Sequence, residues 1–589
     1  LKAIDKPRRR GRLSKGPSRA RPRFSLESLE DRCLLSIADP TANAPSLGAP
    51  PAPGSNVIWV DNERSLQSAF QNLKSNQTIV IKKGTYNLSS TLYVGKDANV
   101  KNVTIRGETD NFNDVVLLGA GMDNARYGAT PMGISVYNAQ NVTIANLSIG
   151  NVYHHSIELK GERGANAVSV YHVRLFDAGT QFIKAQPLTK GVGVNDSSVK
   201  YSLIEYTAGT PRTDHGGGIG YTQAIDVHAG KNWVVSGNLI RNIHTPDSNY
   251  SLWNPAVLFW NGSSNVVTEG NTFVNNSRAI AYGLSNDAVQ GGVIRNNFIL
   301  QEPGLFSSWR RADSDAQILV WGATNTSVVH NTILTNRNST DAIQFRFTTT
   351  GSEARNNLTD AGLRARDGAS YAASGNYTSA TSAMFADAAA GDFHLVSNSV
   401  TLANVIDKVP VLSTSTTDWD GQARPQGGLA DIGADEYFVR AAPGDTTPPT
   451  VTSTSPGSGA RDVAINSSVT ATFSEAVRAD SVVFTLRDAA GRTVSATTSH
   501  SSSTNTTTLR PSSSLAHSTT YTATVSGARD LAGNAMATRT WSFTTAPAPD
   551  TTPPTVTSTS PGSGARDVAI NSSVTATFSE AVRADSVVF

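Results

Sequence analysis

Between positions 214 and 228 the chain places Asp214, His215, Tyr221, Asp226 and His228 around the glycine-rich run Gly216-Gly217-Gly218-Ile219-Gly220. Two imidazoles, two carboxylates and a phenol this close can supply a proton-abstracting base and the partner that orients it. The same groups could hold a divalent cation, with Asp214 and Asp226 as ligands and Ca²⁺ the ion that suits carboxylate oxygens. Neither a His-x-His pair nor a cysteine cluster strengthens the metal reading. No P-loop pattern follows the glycines, so they read as permitting a tight loop and not as a phosphate site. Tyr153, His154 and His155 lie upstream and could reach the same cleft. Glu158 and Lys184 complete the set. His228 or Lys184 would be the base of an elimination, with Asp226 orienting it, whereas Glu158 and Asp226 would be the acid and base of a hydrolysis.

Positioning these groups needs a repetitive scaffold, and one is visible. Seven stretches alternate apolar and polar residues: Ile157–Lys160, Ile183–Gln186, Ile225–His228, Val257–Trp260, Ile280–Gly283, Ile318–Trp321 and Ile343–Arg346. Side chains alternate faces along a strand, so the first and third members of each stretch form an apolar inside. The second members form an outward column: Glu158, Lys184, Asp226, Leu258, Ala281, Leu319, Gln344. The fourth members form another: Lys160, Gln186, His228, Trp260, Gly283, Trp321, Arg346. With strands stacked about 4.8 Å apart, Glu158 and Asp226 would stand roughly 9–10 Å apart at the backbone. Side-chain freedom brings that into the range of an inverting carboxylate pair. Lys184 falls between them, which is charge-complementary and is also how a solvated face reads. Trp260 and Trp321 offer flat rings for sugar faces, and packing beneath a long loop is their alternative. Arg241, Arg278, Arg310, Arg311 and Arg346 could meet uronate carboxylates through the planar guanidinium fork. An outer wall of acids, bases, a histidine and tryptophans reads as a polysaccharide-binding groove.

The second phrase of the repeat is asparagine. Asn238, Asn271, Asn297, Asn331 and Asn357 close successive copies such as Asn265-Val266-Val267-Thr268-Glu269-Gly270-Asn271. Recurrence at 20–50 residues signals a solenoid. Asparagines stacked at one bend can hydrogen-bond above and below without any chemical role. A β-propeller would need four strands per repeat, and these repeats are too short.

Whole-chain properties agree with an all-β protein. The 589 residues are 38% hydrophobic and rich in Ser, Thr, Asn and Gly, which suits short strands and turns. Net charge is +2, so bulk electrostatics call for no nucleic-acid or membrane partner. Cys33 is the sole cysteine, which forbids an intrachain disulfide. No apolar run is long enough for a transmembrane helix. The first 23 positions are strongly basic against one acid, Asp5, and by charge alone read as a disordered nucleic-acid-binding tail.

Several motifs resemble known families. Phe24-Ser25-Leu26-Glu27-Ser28-Leu29-Glu30-Asp31-Arg32-Cys33-Leu34-Leu35-Ser36 resembles the "LExLEDRxLLS" element near the N-termini of planctomycete surface proteins, which implies export. Thr78–Tyr86 and Asn102–Gly107 resemble the opening turns of the pectate-lyase-like right-handed parallel β-helix superfamily. That superfamily includes lyases, hydrolases, epimerases and non-catalytic proteins, and no lyase signature transfers residue by residue. Asp392–Leu395, Asp418–Gly421 and Asp431–Tyr437 resemble a closing segment of bacterial surface β-helix proteins, its acids expected to be structural. Thr472–Val477 and Asp530–Asn534 resemble bacterial Ig-like modules of surface-layer proteins, and Asp445–Phe484 recurs unchanged as Asp550–Phe589.

The expected organisation is a basic export-type segment (1–36), a disordered linker (37–56) and a right-handed parallel β-helix (57–378). A closing segment (379–440), an Ig-like domain (445–545) and a truncated second repeat (550–589) follow. A helix beginning near Ser65, with Leu66, Phe70 and Leu73 on one face, is expected to cover the solenoid's open end. The expected function is a secreted or cell-surface protein that binds and cleaves a polysaccharide, by elimination or hydrolysis. Its alternative is a non-catalytic adhesin whose Ig-like stalk meets the cell envelope or other surface proteins.

Overall fold

The computed structural model describes residues 40–245, 254–285, 289–307, 315–438, 447–478, 481–501, 504–530 and 534–589. The basic head with its export-type motif, Arg310 and Arg311 lie outside the described residues. The chain divides into two units, residues 1–438 and 439–589.

In the first unit each circuit of the chain lays down three short strands, and successive circuits pair in parallel. The result is three parallel sheets of 12, 10 and 10 strands, which is a parallel β-helix. We call the sheet that opens with Val57–Val60 the first, the one that opens with Leu92–Val94 the second, and the one that opens with Gly84–Asn87 the third. The seven stretches lie on the second sheet in the expected register, with Ile157, Ile183, Ile225, Val257, Ile280, Ile318 and Ile343 as successive partners. Their inward side chains, from Ile157 and Leu159 to Ile343 and Phe345, are fully buried in one core. A slip of one residue would turn this whole set outward, so burial itself fixes the register.

The asparagine column forms a buried ladder between the first and third sheets. Asn238 Nδ2 donates to Asn271 Oδ1 at 2.8 Å, and the pattern continues through Asn297, Asn331 and Asn357 to Asn376. Each amide also donates to a backbone carbonyl, as Asn297 does to Thr268, so the bend carries no orphaned amide.

Helix α1 (Glu63–Gln71) lies over the N-terminal circuits with Leu66, Phe70 and, just beyond it, Leu73 buried. Its N-cap is Asn62 and not Ser65. The Asn62 side chain accepts from the Ser65 amide, and Ser65 answers as the third residue of a capping box. Residues 40–56, read from composition as a disordered linker, touch the solenoid. Tyr171 donates to the Pro45 carbonyl, Trp59 donates to Pro51, and Thr41 is buried. At the other end the closing segment packs on the outer face of the third sheet. Phe385, Phe393, Ile406 and Ile432 join the outward side chains Phe298, Leu300, Leu334 and Leu358 in a second core, with Trp419 stacked on Phe298.

The second unit holds a four-stranded and a three-stranded antiparallel sheet that share a core including Val469, Phe473, Leu486, Tyr521, Trp541 and Phe543. The repeated segment forms the antiparallel pair Val556–Ser560 and Thr575–Phe578. Among the described residues no helix is long and apolar enough to cross a membrane.

Candidate functional site

Asp226 is the centre of the arrangement. It sits on the outer face of the second sheet, yet it is fully buried. Its Oδ2 accepts from the Lys184 ammonium, and its Oδ1 accepts from the Trp260 indole N–H at 3.0 Å. His228 Nε2 lies 2.7 Å from Lys184 Nζ and 3.7 Å from Asp226 Oδ1. Two nitrogens approach to 2.7 Å only when one donates to the lone pair of the other, and the Lys184 ammonium is the donor here. The Trp260 ring packs on the imidazole with centroids 4.2 Å apart. Strand pairing explains the convergence: Lys184 faces Asp226 on the next strand, and His228 faces Trp260 on the one after.

Burial alone would raise the Asp226 carboxyl. The contacts with His228 and the Lys184 ammonium outweigh it and hold the group down at about 2. Asp226 is therefore a fixed anion at neutral pH. The Lys184 and His228 side chains are 11% and 14% exposed, so each presents an edge to solvent. Tyr221 lies near enough to Asp226 to feel its charge. Burial first, then that charge, raises the phenol, so Tyr221 keeps its proton.

Glu158 stands two strands from Asp226, with Lys184 between them. It is buried and accepts from Lys160 Nζ at 2.8 Å and from Ser135 Oγ at 3.0 Å. Its carboxylate has its own cation and does not join the Asp226 cluster.

The remaining expected residues are placed elsewhere. Asp214 Oδ1 accepts from the backbone amides of Gly216 and Gly218, which lower its carboxyl and close its own exposed loop. His215 has its two ring nitrogens 2.8 Å from the Thr213 and Met122 carbonyls and ties that loop to the 119–131 loop. Asp123 adds to the tie by accepting from the amides of Arg212 and Thr213. His215 thus packs with Tyr153 and His154 in a loop-supporting cluster of rings. His155 is half-buried beneath Thr180 and Gln181, and desolvation pushes its imidazole down to about 4.

Trp321 is no open sugar platform. It is 7% exposed, belongs to an outer apolar cluster with Leu258, Ala281, Ala316 and Leu319, and has the guanidinium groups of Arg346 and Arg278 over its ring. Trp260 is half-buried and turned to Asp226. Arg346 pairs with Asp367, Arg278 with Asp315 and Arg241 with Glu205, so these three arginines already have acids. Apolar outward members such as Leu258 and Leu319 were the signal that this half of the wall is covered.

The donor set does not fit calcium at Asp214 and Asp226. One carboxylate is taken by two backbone amides, and the other is flanked by an ammonium that would repel a cation.

Among the described residues, the His and acid grouping close enough for an ion lies in the closing segment, at His394, Asp420 and Asp435. These acids, expected to be structural, surround the His394 imidazole. His394 Nδ1 meets Asp392 at 2.5 Å and Nε2 meets Asp420 at 2.8 Å, so both nitrogens act as donors and leave no lone pair for a metal. Burial pulls this imidazole down, but the two carboxylates outweigh it and push it up to about 10. Burial chiefly raises Asp418 and Asp431, each to about 7, and holds Asp435 well above the usual range.

A carboxyl with a raised folded pKa binds protons preferentially in the folded state, so its contribution is lost as pH rises from 3.8 through about 7. The contribution of His394 is present below 6.5 and lost as pH rises through about 10. Both signs predict a closing segment that loosens with alkali. Amide exchange over 392–437, corrected for its intrinsic pH dependence, should show stronger protection at pH 5 than at pH 9. Equal or stronger protection at pH 9 would contradict this reading.

One family model and several solved structures are similar to parts of the chain. Residues 445–545 and 550–588 match the family described as Bacterial Ig-like domain. No curated protein sequence matches the chain. Among solved structures, the chain is similar to an alginate lyase from Paenibacillus sp., at 18% identity over 55% of this chain and 100% of that one, with a TM-score of 0.36. It is similar to an endo-xylogalacturonan hydrolase from Aspergillus tubingensis, at 14% identity over 54% and 89%, with a TM-score of 0.36. It is also similar to PfbA, a surface adhesin of Streptococcus pneumoniae, at 13% identity over 54% and 88%, with a TM-score of 0.29. Two enzymes and an adhesin at such scores leave function to be argued from the site.

Proposed function

We propose that this chain is a secreted or cell-surface protein that binds an acidic polysaccharide along the second sheet and cleaves it by β-elimination. The observation that carries the reading is the 2.7 Å contact between Lys184 and His228, anchored on the buried Asp226 anion. By passing a proton to His228 Nε2, the Lys184 ammonium would become the amine that removes the proton beside a uronate carboxylate. The electron pair of that C–H bond forms the new C=C bond as the glycosidic C–O bond breaks. Asp226 holds the resulting positive charge in place, and Tyr221, still protonated, can give its proton to the leaving oxygen. Hydrolysis fits less well, because Glu158 and Asp226 each face their own lysine. A second reading, a non-catalytic adhesin, draws on the full burial of Asp226 and on the Ig-like repeats, which suit a stalk.

The test is incubation of the full chain with alginate, polygalacturonate and neutral xylan, with and without a chelator. Ultraviolet absorbance reports unsaturated ends, and a reducing-sugar assay reports any cleavage. We expect absorbance on a uronate polymer, unchanged by chelator and lowered about 10²–10⁴-fold in His228→Ala. Reducing ends without absorbance would move the reaction to hydrolysis. Binding without either product would make the protein an adhesin.

A further inference from the structure

Beside the cap helix a cavity of about 620 Å³ opens on the same face of the solenoid, lined among others by Gln67, Phe70, Tyr93, Lys96, Asp97 and Pro131. We propose that it is a remote subsite for an anionic sugar of the same polymer, several residues from the bond that is cleaved. This inference rests on the polysaccharide reading above.

Register supplies the first argument. Tyr93 pairs with Ser135, Ser135 with Glu158 and Glu158 with Lys184, so the cavity lies three strands from the base in the same outward column. Three strand spacings span about 14 Å, roughly three sugars. Between them Ser135 and Glu158 are themselves buried, but the neighbouring column of Tyr137, Lys160 and Gln186 is partly exposed and polar, whereas the wall on the other side of the cluster is closed by buried Leu258, Ala281, Leu319 and Trp321. A chain lying on the Lys184 cluster therefore has this direction in which to extend.

Charge supplies the second. Lys96 Nζ stands 4.3 Å over the Tyr93 ring, and Tyr137 meets that ring edge-on at 5.6 Å. Lys160 and Lys184, the cations between the cavity and the cluster, are already bound to Glu158 and Asp226. Among the described residues no carboxylate pairs with Lys96, which is exposed. An exposed ammonium beside a tyrosine face suits a sugar carboxylate on the one and the pyranose ring on the other. Gln71 and Asp97, both exposed at the rim, can take hydroxyls.

The test is calorimetric titration of the full chain, in a His228→Ala background that prevents turnover, with uronate oligomers of three and six units. Lys96→Gln and Tyr93→Ala are each expected to weaken hexamer binding roughly tenfold, bringing it towards the trimer, whose affinity should hardly change. A hexamer that keeps its advantage in both variants overturns the subsite, even if the parent chain makes unsaturated products. Loss of that advantage in a protein that makes no such products keeps the subsite and overturns the elimination. Failure of the unsubstituted cavity to favour the hexamer overturns the subsite too.

Discussion

Replacing Lys184 with methionine will strand the Asp226 carboxylate in a fully buried position, at an expected cost of about 3–5 kcal/mol in the stability of the solenoid. The ammonium is the group that binds Asp226 Oδ2, and the indole of Trp260 on Oδ1 is neutral. His228 lies 3.7 Å from the carboxylate, too far to replace a direct charge-assisted bond without movement. The double variant Lys184→Met/Asp226→Leu removes both charges and should recover most of the loss, because the adjoining outward positions Leu258 and Ala281 are already apolar. Product formation should stay about 10²–10⁴-fold down in both variants, since the base is gone from both. The comparison separates stability from chemistry. Urea unfolding followed by tryptophan fluorescence supplies the first, and ultraviolet absorbance of the product supplies the second. A single variant as stable as the parent would mean that Asp226 is not the buried, paired anion described here.

The second large effect is expected in the closing segment. Arg424 is buried, donates from Nη1 to Glu436 at 2.8 Å, and donates from Nη2 to the Gly433 and Ala434 carbonyls at 3.0 and 2.9 Å. Arg424→Met leaves Glu436 without its cation beside Asp431 and takes one donor from each of the Gly433 and Ala434 carbonyls, which keep His330 Nδ1 and the Trp419 amide. Loss of about 3–5 kcal/mol of local stability is expected. The loss should shrink at low pH. Burial already raises both carboxyls, and protonation would remove the charge that Arg424 neutralises. Amide exchange over 392–437 in parent and variant at pH 5 and pH 8 measures this directly. A loss that is the same at both values would show that the carbonyl contacts, and not the ion pair, hold the segment.

Much of the architecture was open to reading because single residues carried it. Ile157 to Ile343 had to be inward and in register, since no other alignment buries all seven. The asparagines at 238, 271, 297, 331 and 357 announced a ladder that reaches one rung further, to Asn376. What stayed hidden depends on loops, whose packing leaves no period in the sequence. Trp321 looks identical in sequence whether it faces water or lies under a covering. Only the apolar neighbours Leu258, Ala281 and Leu319 hinted at the covering. Ser135 and Lys160, which take Glu158 away from Asp226, come from an adjacent strand and from two residues along the same strand, contacts that spacing alone does not rank. The closing segment was recognisable, but its seat on the outer third sheet was not. Phe298, Leu300 and Leu334 carry that message by being apolar on the face where alternation calls for polar residues.

The asparagine ladder has a further consequence. Its rungs are 33, 26, 34, 26 and 19 residues apart along the chain, yet the hydrogen bonds between them span only 2.8–3.0 Å. Circuits of very different length therefore share one pitch, and the surplus chain is extruded at the corners. Lengthening a loop costs little once its ends are pinned. The corner between the third and second sheets, from which the 207–221 loop springs beside Lys184 and His228, is thus where foreign sequence can be grafted with the frame left intact. Recognition and framework are separately evolvable in this solenoid, and a library confined to that corner would vary the first while leaving the second alone.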